Sequence, residues 1–245
     1  MKRFRPSSAL APALSLALGL TFAVIVRAEP PHQRIDLLAG QSLSALELVT
    51  LPTTPADIAR ICTFNPDGSL AVAGQPVSYL VVKVRYDNYH LHAEWRWPKD
   101  AAKHSNGGVL LNIAGGPVAG TAWPECFQAQ MKLTRAGDIL PMNGAKFAEK
   151  LSTPPDAKTP QLDRMMQADP EKPLGEWNSY DIVCRGNTFE VTVNGVPQNK
   201  ITQCKPALGR IGFQLEGTPY ELRNVWIAPA RAIGGSLQME SAPKL

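Results

Sequence analysis

Polar side chains that can form hydrogen bonds or transfer protons recur at alternate positions in three short segments of this chain. Side chains alternate across a β-strand, so residues 89–97, 126–132 and 210–216 each divide into an apolar and a polar face. If these strands share one sheet, the polar face carries groups that donate to or accept from hydroxyls. Its members are His92, Glu94, Arg96, Gln128, Gln130, Gln214 and Glu216. A solvated sheet face without function shows the same alternation, so that interpretation stays open.

Tryptophan and asparagine side chains could extend such a site. Trp123 is suited to stack on a pyranose ring at the rim, whereas Trp95 and Trp97 alternate with polar residues and are expected in the core. Asn106 is a further candidate, because its amide can both donate to and accept from a hydroxyl. The expected ligand is therefore a carbohydrate.

Histidines add candidates for proton transfer or metal binding. His104 could serve as an acid or a base, or could simply occupy a turn. His90 and His92 could bind a metal from one strand, but no third ligand follows nearby, which favours surface residues. The chain contains no serine-nucleophile elbow, zinc-protease helix or phosphate-loop motif. We expect no cofactor, and the sequence leaves a divalent metal open.

The elements that must position these residues are short runs separated by Gly, Pro, Asn and Asp. The runs lie at 77–84, 89–97, 108–113, 126–133, 180–184, 188–193, 210–215 and 221–227. No long segment has a helical period, and Asn194-Gly195 predicts a tight hairpin, so the pattern predicts an all-β sandwich or barrel. Residues 134–176 lack a sustained period and predict a long loop, either a lid over the site or a solvated excursion.

The amino terminus predicts export. Basic residues precede an apolar stretch over residues 9–26, and Ala28 follows at a suitable cleavage position, so we predict a signal peptide over 1–28. An uncleaved anchor is the alternative, although the stretch is near the lower length limit for spanning a bilayer and contains Pro12. The protein is therefore predicted to be periplasmic or secreted, without a stable membrane span after cleavage. Residues 231–245 are predicted to form an irregular tail.

Cleavage would change the charge of the chain. The sequence has 25 basic and 21 acidic residues, and residues 1–28 contain Lys2, Arg3, Arg5 and Arg27 but no acid, which leaves equal numbers in the mature chain. A neutral protein has no overall field that attracts nucleic acid or an anionic membrane. We expect no nucleic-acid partner, and the sequence does not predict an oligomeric state.

Cysteine usage agrees with an oxidising compartment. The four cysteines contain no C-x-x-C pair, which favours disulfides over a zinc site. Cys184 ends one predicted strand, and the hairpin at 194–195 returns the chain, so Cys204 should emerge at the same end of the sheet. We predict a Cys184–Cys204 disulfide, and the other pairings stay open.

Short segments in a fixed order resemble the motifs of one bacterial domain family. They are LLAGQSL at 37–43, LHAEWR at 91–96, SNGGV at 105–109, GEWNSYDI at 175–182, NGV at 194–196, GRIGFQLEG at 209–217 and LRNV at 222–225. The chain thus resembles the 3-keto-disaccharide hydrolase-like family, formerly a domain of unknown function. The resemblance implies a concanavalin A-like jelly-roll β-sandwich, which we place as a single domain over residues 29–230.

The resemblance also implies an activity on glycosides that are oxidised at C3. A ketone at C3 acidifies the hydrogen at C2, so one positioned base can expel the group at C1, with water adding later. We assign Glu94 as the base, Arg96 to the carbonyl and His104 as a reserve acid. An ordinary two-carboxylate glycosidase would instead pair Glu94 with Glu216.

One position departs from the family pattern. The family commonly has an E-x-Q pair after its WP step, whereas this chain has Gln128 in the place of that glutamate and keeps Gln130. A glutamine cannot act as a general acid or base. A non-catalytic, lectin-like carbohydrate-binding module is therefore the alternative to a hydrolase or lyase.

Overall fold

The computed structural model describes residues 30–154, 156–164 and 169–230. The predicted signal peptide at 1–28 and the predicted tail at 231–245 lie outside the described residues. Within the described ranges no helix has the length and apolar character needed to cross a membrane.

Alternating apolar and polar residues form strands along most of the described chain. The strands are β1 (Ile35–Asp36), β2 (Leu46–Thr50), β3 (Cys62–Phe64), β4 (Leu70–Val72), β5 (Ser78–Val82), β6 (Tyr89–Arg96), β7 (Gly107–Ile113), β8 (Cys126–Gln130), β9 (Ile139–Met142), β10 (Asn178–Arg185), β11 (Thr188–Val193), β12 (Val196–Ile201), β13 (Arg210–Leu215) and β14 (Tyr220–Pro229). The helical elements are a 3₁₀ turn at Ala39–Gln41 and α1 at Ile58–Ile61.

The strands form two antiparallel sheets. The larger has the order β12-β11-β10-β6-β14-β4-β3, with β1 paired to β14. The smaller has the order β2-β5-β13-β7-β8-β9. The chain crosses between the sheets several times, because β6 lies in the larger sheet, β7 to β9 in the smaller, and β10 to β12 again in the larger. The predicted all-β jelly-roll sandwich is confirmed.

The core lies between the sheets and is built from the apolar face of each strand. In β6, Leu91, Ala93 and Trp95 are buried, while the residues between them are only half-buried. Trp95 stacks on Tyr180 of the neighbouring strand, with ring centroids 4.7 Å apart. Phe127 of the smaller sheet and Phe189 of the larger sheet have ring centroids 6.1 Å apart. Contacts of this second kind bury apolar surface from both layers, which is the main force that holds a sandwich together.

All eight predicted runs contain strands, and the predicted hairpin is present. Asn194 and Gly195 have φ values of 48° and 80°, and they join β11 to β12. Asn and Gly adopt positive φ at low cost, which explains the tight turn. The region predicted as a long loop contains one further strand, β9, which pairs with β8 at the edge of the smaller sheet.

The described residues include all four cysteines, and each is a buried free thiol. The structure therefore does not contain the predicted Cys184–Cys204 disulfide. Burial raises the pKa of Cys184 and of Cys204 to about 12, because the thiolate loses its hydration. The neighbouring Glu149 and Cys184 further oppose ionisation of Cys204.

Candidate functional site

A cavity of about 620 Å³ opens on the smaller sheet, on the face away from the core. Its floor is formed by side chains of β8 and β13, and its walls by Trp123, by β9 and by residues 158–161. The volume falls in the range typical of small-molecule sites, which is about 300–1,000 Å³. The lining residues are Asn106, Trp123, Gln128, Gln130, Lys132, Arg135, Leu140, Pro141, Met142, Asn143, Lys158, Thr159, Pro160, Gln161, Gln214 and Glu216.

A glycine in β7 makes room for the floor. β7 lies between β8 and β13, and Gly108 stands opposite Gln130 on one side and Gln214 on the other. A Cβ atom on Gly108 would lie 2.7 Å from both Cγ and Nε2 of Gln128, closer than unbonded atoms approach. Because this position has no side chain, Gln128 can extend across β7 to reach β13.

Amide groups from the neighbouring strands meet above this glycine. Nε2 of Gln128 donates to Oε1 of Gln214 at 2.7 Å and to Oε1 of Gln130 at 2.9 Å. Nε2 of Gln214 in turn donates to Oε2 of Glu216 at 2.6 Å. The three glutamines are at most 6 % exposed. They form a polar floor whose members hold one another in place.

Glu216 is the carboxylate of this cavity. Burial raises the pKa of its carboxyl, while Lys132 and a hydrogen bond from Asn106 act to lower it. Nδ2 of Asn106 lies 2.7 Å from Oε2, and Oδ1 of the same asparagine is buried without a partner. A raised pKa strengthens a carboxylate as a base near neutral pH. The free Asn106 oxygen is an acceptor that a sugar hydroxyl could satisfy.

Two tyrosines anchor the floor to the larger sheet. The Tyr180 hydroxyl donates to the backbone carbonyl of Gln130, and the Tyr220 hydroxyl donates to that of Gln214 at 3.0 Å. Both rings are at most 1 % exposed. The positions of the cavity strands therefore depend on contacts that pass through the core.

Six residues predicted to bind substrate line this one cavity. They are Asn106, Trp123, Gln128, Gln130, Gln214 and Glu216. His104 lies exposed in the turn before β7 and is not among the lining residues.

The expectation that Glu94, Arg96 and His92 join them is wrong. These three residues belong to β6 in the larger sheet, and their side chains point to its outer face, on the opposite side of the sandwich. Alternation had correctly separated the polar residues from the core, but it does not specify which layer a strand joins.

Ion pairs already occupy the polar residues of β6. Glu94 accepts from Nε of Arg223 at 2.6 Å and from Nδ2 of Asn224 at 2.7 Å. Burial acts to raise the pKa of Glu94, but these hydrogen bonds bring it below its ordinary value. Arg96 pairs with Glu221 and lies over the Trp177 ring, 4.5 Å from its centroid. A carboxylate held in this way is a weak base, so Glu94 is poorly suited to remove a proton from carbon.

Two histidines of β6 lie on the same outer face of the larger sheet. His90 and His92 both hydrogen-bond Oδ1 of Asp181, at 2.8 and 2.9 Å. His92 stacks on Trp226, and the Arg34 guanidinium lies 4.5 Å from the centroid of the same ring. In the described part of the chain, no cluster of three or more His, Cys, Asp or Glu side chains is arranged to hold a metal ion.

Several cavity residues were absent from the sequence-based set. Lys132 follows Gln130 by two positions and shares its face, so strand alternation carried a signal for it. Residues 158–161 lie inside the segment predicted as a long loop, and they line the cavity as a lid would. Arg135, Met142 and Asn143 also lie inside that segment, Met142 at the end of β9 and Asn143 in the turn after it, and no local pattern distinguished them there.

The fold is a jelly-roll β-sandwich with a polar cavity on the outer face of its smaller sheet. Residues 36–228 match the 3-keto-α-glucoside-1,2-lyase-like domain, and the chain belongs to that family. A comparison with curated proteins gave no match.

Solved structures share the fold at low sequence identity. A candidate glycosyl hydrolase from Parabacteroides distasonis ATCC 8503 is 17 % identical, with a TM-score of 0.57 over 80 % of this chain and 94 % of that one. A second candidate glycosyl hydrolase from the same organism is 19 % identical, with a TM-score of 0.53 over 80 % and 98 %. The metal-free carbohydrate recognition domain of Emp46p is 9 % identical, with a TM-score of 0.50 over 80 % and 93 %. The three similarities establish the sandwich architecture.

Proposed function

We propose that the protein is an exported enzyme that cleaves glycosides oxidised at C3, by elimination in the cavity of the smaller sheet. The observation that carries this proposal is the composition of the cavity. Among its described lining residues, Glu216 is the single carboxylate, and the other polar side chains are amides, two lysines, Arg135 and Thr159. A conventional glycosidase needs two carboxylates, whereas elimination next to a ketone needs one base.

The chemistry assigns a role to each polar group. Glu216 removes the proton from C2, the C1–O bond breaks, and a double bond forms between C1 and C2. Glu216 then returns the proton to the departing oxygen, and water adds to the double bond. The Lys132 ammonium, which already acts on Glu216, stabilises the negative charge that develops on the C3 oxygen. The three glutamines and Asn106 bind the hydroxyl groups of the ring.

A substrate panel tests the reaction. Wild-type protein is incubated with 3-keto-glucosides of different linkage and with the parent glucosides, and release of the aglycone is measured. We expect release from the keto forms alone. Deuterium at C2 should slow the reaction, because the base must break that C–H bond before the leaving group is expelled. Equal rates for keto and parent glucosides would contradict the proposal.

Matched variants test the base. Glu216→Gln should lower turnover by about 10²-fold or more and leave sugar binding measurable by calorimetry. Glu94→Gln is the control, because Glu94 lies on the other sheet and pairs with Arg223. A loss of turnover in the Glu94 variant and not in the Glu216 variant would reverse the assignment.

The second candidate function is binding without turnover. The floor position Gln128 carries an amide and not a carboxylate, and a cavity floored by amides suits recognition of sugar hydroxyls. Calorimetric binding of sugars, with no product from any keto-glucoside, would assign the protein to this class.

Export forms part of the proposal. The basic start, the apolar stretch and Ala28 support removal of residues 1–28 and a periplasmic or secreted location. Mass spectrometry of the protein recovered outside the cytoplasm should give a chain that begins at Glu29. Recovery of the intact chain beginning at Met1, embedded in membrane, would contradict this expectation.

A further inference from the structure

A chain of hydrogen bonds leads from β8 to the proposed base. Nε2 of Gln128 donates to Oε1 of Gln214 at 2.7 Å, and Nε2 of Gln214 donates to Oε2 of Glu216 at 2.6 Å. Gln128 and Gln214 are each 2 % exposed, so water has little access to either amide. Gln128 itself has no hydrogen bond to Glu216, and any influence on the carboxylate must pass through Gln214.

The direction of this chain is set by groups whose roles are unambiguous. In the structure Gln214 turns its NH₂ group to Glu216 and its carbonyl oxygen to Gln128, the orientation that an ionised Glu216 requires because a carboxylate only accepts. At the other end, the Gly107 carbonyl only accepts, and it lies 3.3 Å from Nε2 of Gln128. The Lys132 backbone N–H only donates, and it donates to Oε1 of Gln130 at 3.0 Å. The Gln130 atom at this point is therefore the oxygen, which also accepts from Nε2 of Gln128.

Buried amides cannot reverse without cost in this arrangement. If Gln214 rotated by half a turn, its oxygen would face the Glu216 carboxylate and its NH₂ group would face the NH₂ group of Gln128. One contact would then bring two acceptors together and the other two donors, inside a buried site where an unpaired polar group is strongly unfavourable. Gln128 therefore holds Gln214 in the one orientation that places a donor on Glu216.

We propose that Gln128 is a positioning residue, which acts through Gln214 to keep a hydrogen-bond donor on Glu216 and so keep that carboxylate ionised and correctly aimed. This inference rests on the proposed function only in calling Glu216 the base. The other groups that face Glu216 are Asn106 and Lys132, and the remaining cationic groups of the cavity are Arg135 and Lys158. None of these four is altered by a change at residue 128.

A double-mutant cycle separates this role from simple packing. Gln128→Met removes the amide at similar volume, Gln214→Met removes the donor itself, and the double variant carries both changes. Each single variant should lower the acid dissociation constant of Glu216 by roughly three- to tenfold, the effect of losing one hydrogen bond of ordinary strength. The double variant should match Gln214→Met alone, because Gln128 then has nothing to orient.

Two readouts measure the effect. The first is titration of the Glu216 side-chain carboxyl by ¹³C NMR, with the resonance assigned by its loss in Glu216→Gln. The second is the acid limb of the kcat/KM profile, which should move to higher pH in both single variants. The NMR titration needs no turnover, so a failure of the proposed function leaves this inference testable.

Controls address structural damage. Gln198→Met changes a glutamine that is fully buried outside the cavity, and it should lower stability without moving the Glu216 titration. If Gln128→Met does not fold, Gln128→Asn keeps an amide that is too short to reach Gln214 and should give the same shift. An unchanged Glu216 titration in the residue 128 variants would overturn the proposal. Fully additive effects in the double variant would do the same.

Discussion

Gly108 gives a direct test of how the cavity floor is built. An alanine at this position would place its Cβ atom 2.7 Å from Cγ and Nε2 of Gln128 and 2.9 Å from its Cδ. Gln128 cannot move aside freely, because its Nε2 is bound to Gln214, Gln130 and the Gly107 carbonyl. Gly108→Ala should therefore force Gln128 out of its hydrogen-bonded position.

The expected cost follows from the bonds that are lost. An amide has two N–H groups, so displacement of Gln128 removes at most two full hydrogen bonds, each worth about 0.5–1.5 kcal/mol net. We expect the free energy of unfolding to fall by about 1–3 kcal/mol, measured by urea denaturation. Sugar affinity, measured by calorimetry, should fall as well, since the floor of the cavity changes shape.

Gly115 provides the matched control. A Cβ atom on Gly115 would meet no atom within 4 Å, so Gly115→Ala should leave the free energy of unfolding unchanged or slightly higher. If the two alanine variants had the same stability and the same sugar affinity, the packing of Gln128 over β7 would not support the site. That result would refute the description of the cavity floor.

Two further predictions concern the larger sheet and the cysteines. Burial acts to raise the pKa of Asp181, but hydrogen bonds from the two histidines hold it well below its ordinary value, and the bond to Asp181 raises the pKa of His92 against the effect of burial. The stability that Asp181 contributes is present above its unfolded pKa of about 3.9 and is lost in more acidic solution. The stability that His92 contributes is present below its unfolded pKa of about 6.5 and is lost as pH rises. Asp181→Asn should therefore lower the free energy of unfolding more at about pH 5.5 than at about pH 9. We expect a difference of about 1 kcal/mol, a small value because the group is partly solvated. Equal losses in urea denaturation at the two pH values would refute this linkage. Burial raises the pKa of Cys62, Cys184 and Cys204 to about 12. These thiols should therefore react with iodoacetamide far more slowly in native protein than in denaturant. Peptide mapping that finds Cys184 joined to Cys204 would contradict the free-thiol state.

The local sequence pattern was sufficient to predict where the strands lie and which face of each strand is buried. In β6 the apolar residues Leu91, Ala93 and Trp95 are buried, and the polar residues between them are not, as strict alternation requires. The same rule placed Phe127 and Phe213 in the core and Gln128 and Gln214 on the opposite face. Alternation succeeds because it depends only on backbone geometry within one strand.

Assignment of a strand to a sheet depends on distant partners and was not predictable in this way. Glu94 and Gln128 both point away from the core, yet β6 pairs with β10 and β14 while β8 pairs with β7 and β9. Both sheets are antiparallel with the same two-residue period, so the two layers give the same local signal. Glu94 therefore lies on the outer face of the larger sheet, and Glu216 is the carboxylate of the cavity.

Glycines show a second limit of the pattern. Gly212 lies on the same strand face as Gln214, and a Cβ atom there would come within 2.6 Å of the Leu80 carbonyl oxygen. A sequence shows that such a residue lacks a side chain, but not which neighbour needs the space. The same holds for Gly108, whose role depends on a glutamine from another strand.

A crystal structure of the Glu216→Gln variant with a bound 3-keto-glucoside tests the central claim most directly. The variant should retain the sugar, because it lacks the proposed base. We expect the pyranose ring in the cavity between Trp123 and the glutamine floor, with C2 about 3–3.5 Å from the side chain of residue 216. A sugar ordered on the outer face of the larger sheet beside Glu94, or one in the cavity with C2 directed away from residue 216, would contradict the account.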